Sequence, residues 1–108
     1  MKKTVLVAWI LWVLLQTRTP SGSIARSEWT MGRATETRVE CEIALAETVR
    51  REHEWATTRA NELQSGKGLG DVTVQYHPTG VFLITKEART EKRVECWPAG
   101  ADPRGLTR

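Results

Sequence analysis

Histidine, cysteine and serine are scarce in this chain, and their scarcity removes most of the usual chemistry. Of 108 residues, two are His and two are Cys. His53-Glu54 opens like a zinc-protease helix, but that site needs a second His four positions on, on the same face. Thr57 stands there instead. His53 and His77 show no ligand spacing with Glu52 or Glu54, so both read as solvated surface residues, and no metal or other cofactor is expected. The cysteines, Cys41 and Cys96, lie far from the Cys-x-x-Cys spacing that lowers a thiol pKa for redox work. Beyond residue 25 the only serines are Ser27 and Ser65, neither in a Gly-x-Ser-x-Gly elbow. Gly66-Lys67-Gly68-Leu69-Gly70 invites a phosphate-loop reading, yet it follows a helical pattern rather than preceding one, and it lacks the Lys-Ser/Thr ending. It reads as a turn. The chain is expected not to be an enzyme, with a small hydrolase using His53 or His77 as the alternative.

Long apolar stretches are lacking too. The longest run, residues 4–15 (TVLVAWILWVLL), has twelve residues, against the roughly 18 to 20 that a membrane-crossing helix needs. Lys2 and Lys3 precede it; Pro20, Gly22, Ser23 and Ala25 follow. A basic end, a short apolar core and a small-x-small site form the layout of an export signal cut after Ala25. The alternatives are an uncleaved anchor through residues 4–15, the one case in which a membrane is a partner, and the end of a buried helix. On this reading residues 1–25 are a signal peptide, 26–97 a single domain and 98–108 a flexible tail. The protein is expected in the periplasm or outside the cell.

Nor is there a block of one charge. The chain has 16 Lys+Arg and 13 Asp+Glu. Lys2, Lys3 and Arg18 would leave with the signal, which brings the balance to zero, so the basic pI of about 9.2 belongs to the precursor. The remaining charges are interspersed, as in REHE and TKEARTEK, which is the pattern of a solvated surface and gives no footing for nucleic acid.

What is present is the patterning of one small domain. Residues 36–64 have helical period: Cys41, Leu45, Thr48, Val49, Trp55, Ala56, Ala60 and Leu63 share a stripe, with Ala44 at its border. Glu52 and Arg59 interrupt it. Thr35 or Thr37 can cap the helix, Thr37 with Glu40 fitting a capping box, and Glu47 with Arg51 makes an i,i+4 pair. Residues 72–77, 81–86 and 92–97 read as strands, the first two joined by a tight turn at Pro78, Thr79 and Gly80. A brief strand over residues 26–33, ended by Gly32, would be a fourth. The fold class is α+β: one long helix packed on a small antiparallel sheet of three or four strands. Cys41 lies on the helix's apolar stripe and Cys96 on the face of Val94, so both sulfurs point inward; in an exported chain a Cys41–Cys96 disulfide is expected.

A Trp after the signal, a Cys-bearing helix (VECEIALAE) and a terminal strand ending CWPAGADPR together resemble small exported bacterial proteins of uncharacterised function. The resemblance covers most of residues 26–108, and its motifs are structural; it implies no activity. Function is expected to lie in binding an envelope or extracellular protein or ligand. Trp97 falls on the face opposite Cys96, beside Arg93 and Glu95, and Trp and Arg are among the residue types richest in binding hot spots; the alternative is that the tail or Trp29 covers Trp97. The other reading is an inhibitor or accessory subunit of an exported enzyme.

Overall fold

The apolar run that reads as an export signal is a β-strand in the computed structural model, which describes residues 7–66 and 71–105. Strand β1 (Trp9–Arg18) is followed by β2 (Ile24–Thr35), helix α1 (Arg38–Gly66), β3 (Thr73–His77), β4 (Gly80–Ile84) and β5 (Arg89–Pro98). All pairings are antiparallel, in the order β2-β1-β5-β4-β3. β1 is therefore an inner strand, with Leu11, Trp12 and Leu14 only 3%, 2% and 3% exposed. A continuous apolar run suits a strand buried on both faces, since alternation appears only where one face meets water. The residues that read as a cleavage region form the hairpin turn: Gly22 N–H donates to Thr19 O and Thr19 N–H to Ser23 O, each at 2.9 Å. Pro20 and Ser21 occupy its centre, and Gly22 takes a φ of 90°, where side chains are disfavoured.

The sheet thus has five strands rather than three or four. β2 is also longer than expected, at twelve residues, because Gly32 does not end it. Gly32 sits at a bulge where the β1 register shifts between Ile10 and Trp12, and a Cβ there would lie 3.1 Å from Leu11 Cδ2.

α1 covers one sheet face. Thr37 caps it, its Oγ1 accepting the Glu40 N–H at 3.1 Å and its hydroxyl donating to Glu40 Oε1 at 2.9 Å. Cys41, Ala44, Thr48, Val49, Ala56 and Ala60 are the buried stripe, and the Thr48 hydroxyl returns to Ala44 O at 2.8 Å. Cys41, Ala44 and Val49 pack with Leu11 of β1 and Val94 of β5. Cys41 and Cys96 are bonded, 55 residues apart in sequence. Glu52, the interruption in the stripe, meets Lys92 of β5 at 2.9 Å, and the Lys92 ammonium sits 3.9 Å from the centre of the Trp55 ring. The exposed side of α1 pairs Arg38 with Glu42 and Arg50 with Glu54; Arg51 turns to Thr48 instead of Glu47. Among the described residues, no helix is long and apolar enough to cross a membrane.

Candidate binding surface

β-strand alternation divides the side chains between two faces. Trp9, Leu11, Val13, Val94 and Cys96 go to α1. The opposite face receives Ile10, Trp12, Leu14, Gln16 and Arg18 from β1, and the pairing sets Trp97, Glu95, Arg93, Glu91 and Arg89 of β5 beside them in that order. From the other side, Leu14 faces Trp29 and Trp12 faces Met31 of β2. Phe82 of β4 stands opposite Glu91.

Trp97 and Arg93 lie on this helix-free face, joined through Glu95. The Trp97 indole N–H donates to Glu95 Oε1 at 2.8 Å, and Arg93 Nε meets Glu95 Oε2 at 2.7 Å. Arg93 also reaches Glu91 Oε2 at 3.4 Å, and its guanidinium carbon is 5.8 Å from the Trp29 ring centre. One Arg thus sits among two carboxylates and an indole face, which holds a long side chain in one geometry. Trp97 and Trp29 are both half-buried.

Residues 98–105 are not an open extension. Ala101 N–H donates to Pro98 O and Gly105 N–H to Asp102 O, each at 3.0 Å, so the chain makes two turns. Arg104 grips Asp102 through contacts of 2.6 to 3.1 Å, and its guanidinium stacks 5.0 Å from the Trp12 ring centre. Those hydrogen bonds hold the Arg104 pKa above its ordinary value. A cleft of about 220 Å³ runs under this turn, lined by Ile10, Trp12, Met31 and Asp102 among others. Trp12 is buried there with no hydrogen-bond partner for its indole N–H among the described residues. Trp12 was hidden from sequence reasoning because it fell inside the presumed signal. The signal that reveals it is the two-sided apolar run bounded by turn residues.

The histidines do not come together. His53, on α1, places Nε2 3.0 Å from His77 O and 2.8 Å from Gly80 O. Both oxygens only accept, so Nε2 carries the proton, and the ring clasps the β3–β4 hairpin. It is half-buried rather than solvated, and its edge meets the Tyr76 ring at 5.0 Å. The His77 ring lies across the sheet, against Phe82 at 5.1 Å. Ser27 pairs with Gln16 at 3.4 Å, and Ser65 returns to Glu62 O at 3.2 Å. No group of three or more His, Cys, Asp or Glu is placed to hold a metal ion among the described residues. Of the Gly-rich segment, residues 67–70 lie outside the described residues.

Comparison with known proteins finds no match for this chain, whether to a family model, a curated protein or a solved structure.

Proposed function

We propose that this chain is a non-catalytic binding module of an oxidising compartment, with the helix-free sheet face as its binding surface. The observation that carries the reading is the row Trp97–Glu95–Arg93–Trp29, two half-buried indoles bracketing a guanidinium held by carboxylates. Anchors of this kind, pre-positioned and partly desolvated, supply most of the energy in known interfaces. The Cys41–Cys96 bond supports the compartment, because cytosolic thiols are kept reduced. Use of His53 as a clasp, with His77 on the other face, supports a non-catalytic role. The domain in this reading keeps β1, since Leu11 is part of the core cluster that includes Cys41.

The test is partner capture by the full, oxidised chain. Trp97→Ala is expected to leave the far-ultraviolet circular dichroism and cooperative unfolding in place while abolishing capture; Arg51→Ala, on the helix, should change neither. If Trp97→Ala unfolds the chain, Trp97 is core and the surface reading fails. A second reading, an inhibitor or accessory subunit of an exported enzyme, is favoured by β2. This long edge strand is exposed apart from Trp29 and Thr35, and its outer backbone groups suit addition of a partner's strand. Loss of capture on Ser27→Pro, which removes a backbone N–H turned away from β1, with Trp97→Ala silent, selects it.

A further inference from the structure

Arg18 and Arg89 stand directly opposite one another on β1 and β5, on the helix-free face. Like charges in that position repel and weaken a sheet. Every other charge on these two strands is answered: Arg93 by Glu91 and Glu95, Lys92 by Glu52. Neither Arg18 nor Arg89 has an ion-pair partner among the described residues. The two side chains lean apart. Arg18 Nη1 donates to Gly22 O at 2.9 Å in the β1–β2 turn, and Arg89 lies over the Phe82 ring at 4.4 Å on the other side. Between them opens a cleft of about 270 Å³, lined by Gln16, Arg18, Phe82, Arg89, Glu91 and Arg93.

We infer that this cleft binds an oxyanion of the phosphate or sulfate type, borne on the ligand of the face proposed above. The inference rests on that proposal, and it adds the chemical class. Three guanidiniums meet two carboxylates here, Glu91 and Glu95, and both carboxylates are engaged by Arg93. The positive charge left over therefore belongs to the Arg18–Arg89 pair. Each guanidinium presents a planar fork of N–H donors, and Gln16 adds an amide donor at the cleft wall. A single carboxylate has two oxygens and satisfies one fork. A tetrahedral oxyanion offers three or four and accepts from both, relieving the repulsion between the strands. Phe82, half-buried under Arg89 and edged by His77, gives the apolar floor beside the anion.

The experiment is a titration of the full, oxidised chain with inorganic phosphate, sodium sulfate and sodium acetate, followed by amide NMR at low salt. Phosphate is expected to saturate shifts at Gln16, Arg18, Phe82 and Arg89 with a Kd of about 1 mM or tighter. Sulfate should match it within a few-fold, acetate should be at least about tenfold weaker, and added NaCl should weaken all three. Arg18→Gln and Arg89→Gln should each cost at least about tenfold in affinity. Without phosphate both should keep or raise Tm, because a like-charge pair is removed; if Arg89→Gln disturbs Phe82, Arg18→Gln carries the test. Failure to saturate, binding that survives in the double variant, or acetate equal to phosphate overturns the inference. Loss of phosphate binding alongside intact Trp97-dependent capture would leave the binding surface standing and remove only the anion.

Discussion

Cutting the chain after Ala25 separates the two meanings of residues 4–15 more cleanly than any substitution. The cut removes all of β1 and the first two residues of β2. What remains is α1 on the β3–β4–β5 meander, stapled by Cys41–Cys96, with the rest of β2 left without its pairing strand. Burial and ladder bonds within β1 are largely offset by the cost of ordering ten residues, about 1 to 2 kcal/mol each. The net loss is therefore felt in what β1 leaves behind. Leu11 fills the space against Cys41, Ala44, Val49 and Val94, and losing one such leucine costs about 2 to 5 kcal/mol. The indole of Trp12 goes as well, uncovering the inner side of the Asp102–Arg104 turn. Against a total stability of about 5 to 15 kcal/mol for a domain of this size, the truncated chain should be at most marginally folded. With a urea slope of about 1 to 3 kcal/mol per molar, the midpoint should fall by roughly 1 to 3 M. The assay compares the full chain with residues 26–108, both oxidised, by urea unfolding and amide NMR. A truncated chain with an equal midpoint and dispersed spectrum would refute the argument, and would return residues 1–25 to the role of a removable signal.

Reduction or Cys41→Ala should destabilise the fold by about 4 kcal/mol, the loop-closure value for a crosslink of this span; equal urea midpoints with and without reductant would contradict this. Protein taken from its own cells and denatured should show no thiol open to alkylation and a mass two hydrogens below the reduced chain. His53→Ala should cost about 1 to 3 kcal/mol by leaving two hairpin carbonyls without their donor, while partner capture persists; a stable variant that has lost an activity would instead mark His53 as catalytic. Gly80→Ala should cost at least about 1 to 3 kcal/mol by overpacking, because its Cβ would fall 2.2 Å from the Lys92 carbonyl oxygen; thermal unfolding at the parent temperature would show that β4 and β5 have room to part.

The helix, its Thr37 cap, the β3–β4 hairpin and the inward aim of both cysteines were legible in the sequence, because each follows from local period or turn chemistry. Placement of Trp97 with Arg93 on one face was legible for the same reason, since strand alternation needs no knowledge of the partner strand. The export layout was equally legible, and there local pattern is ambiguous in principle. A basic end, an apolar run and a Pro-Ser-Gly-Ser stretch describe a signal and its cleavage region, and they describe a buried strand and its turn equally well. Only tertiary structure decides what pairs with what. Val13 has Val94 on one side and Thr30 on the other, 81 and 17 residues away in sequence and beyond the reach of local period. The same pairing made Arg18 the neighbour of Arg89, returned Trp12 to the core, and turned Glu52 from an interruption in a stripe into the partner of Lys92. Period and propensity act over one or two turns of chain; register is a contest between distant strands, settled by which apolar faces can be buried together.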